Sequence, residues 1–359
     1  AYKITALHGD IGTGDICNFH TTTGWMVWFM LIAALTNGVT LAVFDGNPRA
    51  EGGHALWDFV ERTKTKFFSI SSAFMTACMQ AGDRPNDSHD LSALEKVVFG
   101  ASPATPEVME WVSENVGKGA LVNTASGGTE VFTCFVGYCP DVPSYAGEFQ
   151  CTWLGVDAVS MSEDGRVLHG EVGELIIRQP LPTMPIHFLN DPDRVRLRAA
   201  YFEDFPGYWR HGDLFITLDD GTSRILGRSD ATLNRGGVRI GTAEIYDVVD
   251  RDDAVEDSLV VNIEHPDGTS RMWLFLQLAA GEELTAEVRE RLKGSLRKLA
   301  SPRHVPDEIL TVPLIPYTIT GKKLEIPVKR LLMGAAPETV VNRGIMRDPT
   351  AIDAFIRIG

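Results

Sequence analysis

Short apolar runs alternate with helix-like stretches over residues 1–125. The apolar runs end at turn residues, which indicates buried strands, and they cover residues 40–44, 67–70 and 96–100. The stretches between and after them are predicted helices, at residues 53–63, 72–81 and 105–116. The last of these begins with a capping Thr105, then Pro106 and the acidic Glu107, as helices commonly do. This alternation predicts a parallel sheet that helices cover on both faces.

Residues 25–35 form the most apolar stretch of the chain. It is too short to span a bilayer, which takes roughly 20 residues. It also lacks the charged start and the cleavage site of a signal peptide. We predict a buried helix here and no membrane span.

The pattern changes after residue 125. Strand-like runs separated by Gly, Pro and Asp turns occupy residues 132–138, 149–154 and 173–178, which predicts a small barrel or meander. Residues 228–239 are rich in Gly, Asn and Arg and interrupt this pattern. Two further strands and an amphipathic helix follow, at residues 259–263, 273–278 and 287–299. We therefore predict an α/β part at residues 1–125, a β-rich part at 126–229 and a smaller α+β domain at 230–359.

Composition narrows the classes of partner. With 359 residues, the chain is too long for one ordinary core. Its net charge of −15 argues against a nucleic-acid partner, because phosphate binding along a strand needs clustered Lys and Arg. It does not exclude a nucleotide, which backbone N–H groups and a metal can hold locally. The five cysteines include no CxxC pair, so we expect unpaired thiols in a cytoplasmic protein.

A Gly-rich segment, Ser-Gly-Gly-Thr-Glu at residues 126–130, is a candidate phosphate-binding site. Gly127 and Gly128 let the backbone approach a ligand closely, and Thr129 adds a hydroxyl group. Glu130 offers a hard oxygen ligand to Mg²⁺. The alternative interpretation is an ordinary glycine turn.

Three later segments carry further polar chemistry. Asp213, which follows Gly212, can accept hydrogen bonds from two ribose hydroxyls, although the same sequence also suits a plain turn. Residues 227–245 combine Gly and Arg at the predicted domain boundary, as a hinge or a surface linker would. Lys322 follows a glycine near the C-terminus and suits a developing phosphate or carboxylate charge, or is a solvated surface lysine.

The order of these segments resembles the adenylate-forming superfamily of acyl-CoA synthetases, luciferases and nonribosomal adenylation domains. Its ordered motifs correspond here to residues 100–103 (Gly-Ala-Ser-Pro), 127–130, 212–213, 227–230 and 321–322. Residues 21–28 (Thr-Thr-Thr-Gly-Trp-Met-Val-Trp) are similar to a segment of the acetoacetyl-CoA synthetase family. Further stretches resemble the same family, at residues 190–213, 228–245, 301–306 and 342–349. The resemblance covers essentially the whole chain.

The resemblance implies a role for each matching residue. Ala101, Ser102 and Pro103 would line the adenine, Thr129 would contact the α-phosphate, and Glu130 would hold Mg²⁺. Asp213 and Arg228 would bind the ribose, and Lys322 would orient the carboxylate and the α-phosphate. Asp230 would be the hinge, while Gly237 and Arg239 would serve CoA in the thioester-forming state. The implied fold is part of the adenylate-forming N-terminal domain, with its parallel sheet and barrel-like subdomain, plus a smaller mobile α+β C-terminal domain.

The resemblance also implies an acyl pocket, formed by Trp25, Met26, Val27, Gly100 and Gly127. Acetyl-CoA synthetases carry a Trp where Gly127 stands, so a glycine there favours a substrate larger than acetate. The implied reaction joins acetoacetate to CoA, with ATP cleaved to AMP and pyrophosphate. Another short- or medium-chain acyl-CoA synthetase, or a non-catalytic nucleotide-binding or interaction protein, are the alternatives.

One expected motif does not occur. The superfamily's Ser/Thr/Gly-rich phosphate loop has no counterpart here, and the chain opens at Ala1-Tyr2-Lys3 without a start signal. We expect that an N-terminal segment with this loop is missing, and that residues 1–359 alone do not catalyse the reaction.

Overall fold

The computed structural model describes residues 2–100, 104–229, 233–235, 238–264, 270–319 and 321–358. The chain divides into two compact units. The first comprises Ala1–His211 and Phe215–Ile225, and the second comprises Gly212–Leu214 and Leu226–Gly359. The boundary predicted at residue 229 stays a prediction, since the structure does not describe Asp230.

A five-stranded sheet forms the centre of the first unit, with strand order β2-β1-β3-β4-β5 and all neighbours parallel. Its strands are β1 (Ile16–Phe19), β2 (Thr40–Leu41), β3 (Phe67–Ser71), β4 (Lys96–Gly100) and β5 (Leu121–Thr124). The parallel sheet predicted from the sequence is confirmed. Successive strand residues face opposite sides, so Phe67 and Phe68 enter two different apolar clusters.

Helices connect the strands of this sheet. They are α1 (Met26–Ala34), α2 (Ala55–Thr63), α3 (Ser72–Gln80), α4 (Pro85–Ser88) and α5 (Pro106–Asn115). A π-helical turn at Lys3–His8 and 3₁₀ turns at Leu35–Asn37 and Glu51–Gly53 complete the set. Hydroxyl groups cap two of the helices, since Ser71 accepts from the Phe74 amide and Thr105 from the Val108 amide.

Two predictions for this part are wrong in detail. The helix at residues 25–35 is not buried all round, because Phe29 is 56% exposed and Leu35 is 54% exposed. Only one face of α1 packs on the sheet, through residues such as Met30 and Leu31. The strand predicted at residues 40–44 pairs only at Thr40–Leu41, because β2 is the edge strand and has a partner on one side.

Antiparallel sheets follow the parallel one. β6 (Ser126–Gly128), β7 (Thr133–Gly137) and β8 (Cys151–Thr152) form a three-stranded sheet. A five-stranded sheet has the order β10-β9-β11-β12-β13. Its strands are β9 (Ala158–Met161), β10 (Val167–Leu168), β11 (Gly173–Ile177), β12 (Trp209–Thr217) and β13 (Ser223–Arg228). Helix α6 (Val195–Tyr201) lies in the connection between β11 and β12.

The second unit is built on a three-stranded sheet of order β16-β17-β18, preceded by the hairpin β14-β15. The strands are β14 (Leu233–Arg235), β15 (Val238–Ile240), β16 (Val255–Glu264), β17 (Ser270–Leu278) and β18 (Glu308–Thr311). The helices are α7 (Thr242–Val249), α8 (Ala286–Leu299), α9 (Glu325–Leu332), α10 (Pro337–Val340) and α11 (Asp353–Ile358), with 3₁₀ turns at Pro302–His304 and Arg343–Ile345. Val260 and Val261 point to opposite faces and into separate cores, which the helices cover.

Within the described residues, every helix falls short of the length and apolar character that crossing a membrane requires.

Candidate functional site

The glycine segment at residues 126–130 runs from β6 into a tight turn. The Phe132 amide donates to the Thr129 carbonyl at 3.3 Å, and Phe132 has a φ of +47°, a strained value for a residue with a side chain. A Cβ atom on Gly127 would lie 2.0 Å from the Thr133 carbonyl oxygen on β7. Glycine at this position therefore also allows the close approach of β6 and β7, apart from any effect on the size of an acyl pocket.

Glu130 follows directly and is half-buried. Its Oε1 atom accepts a hydrogen bond from the Tyr201 hydroxyl at 3.0 Å, and the Tyr201 ring stacks on Trp209 at 3.6 Å between centroids. The carboxylate is thus held by a residue of α6 that lies far away in sequence. An ionised carboxylate has about four acceptor positions, so one hydrogen bond leaves room for a cation on Glu130. The residue fits the Mg²⁺ that the sequence resemblance implies.

Two of the predicted acyl-pocket residues lie side by side. A Cβ atom on Gly100, at the end of β4, would lie 3.5 Å from the Trp25 ring. Met26 is a buried core residue, while Trp25 and Val27 are half-buried at the edge of the same cluster. An alanine at position 100 would therefore make an ordinary contact with Trp25, and only a side chain longer than one methyl group would press on the ring.

The predicted ribose-binding residues are paired in the second unit. Arg228 Nη1 lies 3.4 Å from Asp213 Oδ1; the Asp213 side chain is 10% exposed and that of Arg228 is 43% exposed. The Ser229 amide donates to the Gly212 carbonyl, which joins the end of β13 to the interior of β12. Gly212 has a φ of +85°, and a Cβ atom there would lie 2.6 Å from Arg228 Nη2. The missing side chain therefore makes the space that the guanidinium occupies.

The segment after β15 is fixed by contacts that the sequence analysis did not find. The Gly241 amide, just before α7, donates to Glu244 Oε1 at 3.0 Å. The other oxygen of Glu244 lies 3.0 Å from the imidazole of His304, which Ser301 contacts in turn. A Glu three residues into a helix is a known capping signal, whereas its pairing with His304 is visible only in the fold.

Lys322 lies on a turn whose two sides are held together. The Gly321 amide donates to the Thr318 carbonyl at 2.9 Å, and the Lys322 amide donates to the Thr318 hydroxyl at 3.0 Å. On the other side, the Ile319 amide donates to the Ile345 carbonyl at 2.8 Å. Lys322 itself is exposed. Hydrogen bonds therefore hold the backbone of Lys322 and of the described residues next to it.

Residues 13–185 match the family described as AMP-binding enzyme. A solved acetoacetyl-CoA synthetase from Streptomyces lividans is 40% identical, with a TM-score of 0.91 over 99% of this chain and 55% of its own. Residues 13–185 belong to the AMP-binding enzyme family. Acetoacetyl-CoA synthetases from Xenopus tropicalis and Rhizobium meliloti (strain 1021) are each 38% identical, over 98% and 97% of this chain and 52% and 53% of their own lengths. The resemblance inferred from the motifs is confirmed.

The chain with this AMP-binding segment spans about half the length of the curated relatives it matches. A solved anthranilate CoA ligase in complex with anthranoyl-AMP is only 19% identical, but its TM-score of 0.72 over 90% of this chain shows the same fold.

Several predicted family residues cannot be placed. Ala101, Ser102, Pro103, Asp230 and Gly237 lie outside the described residues. Arg239 lies on the backbone of β15, but its side chain also falls outside the description. Of the others, Glu130 belongs to the first unit, and Asp213, Arg228 and Lys322 belong to the second. Their roles stay predictions.

Four of the five cysteine thiols of the chain are poorly suited to be nucleophiles. Burial raises the pKa of Cys17, Cys78 and Cys134 to about 12 in each case. Burial likewise raises the pKa of Cys151 to about 11. A thiol needs to ionise to attack, so these four remain inert at neutral pH.

Proposed function

We propose that the protein is an AMP-forming acid–thiol ligase that converts acetoacetate, ATP and CoA to acetoacetyl-CoA, AMP and pyrophosphate. The observation that carries the nucleotide part is the Asp213–Arg228 pair, a buried carboxylate beside a guanidinium that is 43% exposed. The carboxylate can accept hydrogen bonds from ribose hydroxyls, and the guanidinium places a positive charge beside it. The acetoacetate part rests on the acetoacetyl-CoA synthetases that match 97–99% of the chain.

The first half-reaction joins two anions. A carboxylate oxygen of the acid attacks the α-phosphorus of ATP, and pyrophosphate leaves with its electron pair. Lys322, which we place beside the carboxylate and the α-phosphate, would lower their repulsion. Thr129 would donate to an α-phosphate oxygen. Glu130 would hold Mg²⁺, which neutralises phosphate charge when bound.

The second half-reaction uses the same acyl-adenylate but different groups. The sulfur of CoA attacks the acyl carbonyl, and AMP leaves as the thioester forms. Gly237 and Arg239 would serve this step, and rotation at Asp230 would bring them into place of Lys322. Adenine would lie against Ala101, Ser102 and Pro103.

The predicted acyl-pocket residues bear on the identity of the acid. Gly127 is explained by the close approach of β6 and β7, so it no longer argues for a long acyl chain. Trp25 beside Gly100 is consistent with a small acid. Another short- or medium-chain acid therefore remains the second candidate, and the acid panel below distinguishes the two. We also propose a cytoplasmic location, because unpaired thiols persist under reducing conditions.

The test is ATP–pyrophosphate exchange by the complete protein with acetoacetate, acetate, propionate and butyrate in parallel. We expect acetoacetate to give the highest kcat/KM. Lys322→Ala should lose exchange, while Lys298→Ala, which removes an exposed lysine of α8, should keep it. A preference for propionate or butyrate would replace acetoacetate with the second candidate. No exchange with any acid would contradict the ligase assignment.

A further inference from the structure

Lys323, the residue after Lys322, points into the second unit instead of to solvent. Its side chain is only 16% exposed. Its Nζ atom lies 2.9 Å from Asp257 Oδ1 and 3.5 Å from Asp250 Oδ2, and it donates to the Ser258 carbonyl at 2.5 Å. The ammonium also lies over the Tyr246 ring, 3.8 Å from its centroid. Three oxygen contacts and an aromatic face therefore surround a single ammonium group.

The two carboxylates around Lys323 come from elements that lie well before it in sequence. Asp250 ends α7 and receives a hydrogen bond from the Ser258 hydroxyl, and Asp257 on β16 receives one from the Tyr317 hydroxyl at 3.1 Å. Burial raises the pKa of Asp250, while the positive charge of Lys323 counteracts this effect. Lys323 thus supplies a positive charge between two carboxylates whose side chains are 36% (Asp250) and 21% (Asp257) exposed.

The same lysine belongs to the backbone of the Lys322 turn. Tyr317 and Lys323 pair as an antiparallel bridge, and the turn that carries Lys322 lies between them. Successive residues of an extended chain point to opposite sides. With Lys323 fixed inward by its contacts to Asp250 and Asp257, Lys322 is directed outward. The bridge also carries the Tyr317 hydroxyl to the same Asp257, so both sides of the turn end on one carboxylate.

A solvated surface turn does not require contacts between its side chains and the interior of a domain. Lys322, however, is followed by a second lysine that is largely buried and has two carboxylate partners. The contacts also reach α7 through Tyr246, whose hydroxyl donates to Glu325 Oε1 at 2.6 Å. The arrangement therefore ties the turn to the body of the second unit at several points.

We propose that Lys323 is a positioning residue, whose contacts with Asp250 and Asp257 orient the Lys322 turn for the adenylation half-reaction. This inference rests on the proposed role of Lys322. Lys323 itself touches no substrate in this proposal. Its removal should lower kcat of adenylation more than it raises KM for ATP, and it should spare the thioester-forming half-reaction.

The test compares two variants of the complete protein. Lys323→Met leaves two neighbouring, partly exposed carboxylates without their shared cation, and their repulsion can destabilise the second unit. The variant Lys323→Met/Asp250→Asn/Asp257→Asn removes all three charges, and its amide oxygens can still accept from Ser258 and Tyr317, so it should fold. Lys298→Met, on the exposed face of α8, is the matched control. Thermal unfolding checks each fold.

Two readouts separate positioning from general damage. We expect ATP–pyrophosphate exchange to fall by about tenfold or more in kcat, while CoA transfer from supplied acetoacetyl-adenylate changes by less than about threefold. Amide hydrogen exchange at residues 316–324 should become faster in the charge-free variant and stay unchanged in Lys298→Met.

The outcomes are distinct. A folded charge-free variant with wild-type adenylation, or with both half-reactions lowered equally, would overturn the positioning role. Unchanged amide exchange at residues 316–324 would do the same. The proposed function itself is contradicted if the unaltered protein shows no adenylation, or if Lys322→Ala retains adenylation. In that case only the amide hydrogen exchange tests whether Lys323 anchors the turn.

Discussion

Replacing Gly212 with Ala should weaken nucleotide binding without much effect on folding. The residue has a φ of +85°, and a Cβ atom would lie 2.6 Å from Arg228 Nη2 and 3.1 Å from its Cζ. Ordinary non-bonded contacts need about 3.5 Å, so the guanidinium would have to move by roughly 1 Å. Its contact with Asp213 is already long at 3.4 Å, and such a shift would break it.

The cost to folding should stay small. A side chain at positive φ costs about 1–2 kcal/mol, and a partly exposed ion pair is worth about 0.2–1 kcal/mol. Gly221 is the matched control, because its φ is +87° and a Cβ atom there would have no neighbour within 4 Å. Gly221→Ala therefore carries the backbone cost alone. Urea unfolding should show the two variants within about 1 kcal/mol of each other.

Binding should separate the two variants. A hydrogen bond to a charged group is worth about 1.5–3 kcal/mol, so losing the aligned pair should weaken AMP binding by about tenfold or more. Isothermal titration of the complete protein with AMP gives the dissociation constants directly. Equal AMP affinity in Gly212→Ala and Gly221→Ala would refute the reasoning, since it would show that the space beside Arg228 has no part in nucleotide binding.

Glu130→Gln should raise the Mg²⁺ concentration for half-maximal pyrophosphate exchange by several-fold. Tyr201→Phe, which removes the hydrogen bond to Glu130 and keeps the carboxylate, should raise it less. An unchanged Mg²⁺ requirement in Glu130→Gln would contradict the metal role. The His8 imidazole accepts a hydrogen bond from the Leu154 amide and contacts the Tyr138 carbonyl. Burial, with a smaller contribution from the charge of Lys3, lowers the pKa of His8 in the folded protein. As the pH falls below about 6.5, the unfolded chain should therefore bind a proton before the folded protein does. Stability should therefore fall from pH 7.5 to pH 5.5 in urea titrations, and the fall should shrink in His8→Phe. Leu296→Ala, at a fully buried site of α8, should cost about 2–5 kcal/mol, against less than about 0.5 kcal/mol for Leu299→Ala, whose side chain is 62% exposed. Similar losses of unfolding free energy in these last two variants would argue against the packing of α8.

The sequence indicated the parallel sheet because its signals are local. A short apolar run between turn residues favours a strand buried on both faces, which is why β3 and β4 lie where the pattern predicts them. Thr105, Pro106 and Glu107 likewise mark the start of α5 within one turn of helix. The same signals were misleading at the edge of the sheet, where Val43 lies beyond the last paired residue and is 51% exposed.

The motifs indicated the family, since the order of Gly127, Asp213, Arg228 and Lys322 along the chain is itself a pattern. They did not show what supports those residues. Tyr201 holds Glu130 across 71 positions, and Asp257 reaches Lys323 from another strand. No periodicity or spacing predicts such pairs.

By itself, the sequence therefore determined the succession of strands and helices and the residue types available for adenylation chemistry. Only the tertiary structure decided that Gly212 clears space for Arg228, that Gly127 admits the neighbouring strand, and that Lys323 turns inward between Asp250 and Asp257. The reason is physical. Local preference depends on residues a few positions apart, whereas close approach and charge pairing depend on which distant segments meet when the core packs.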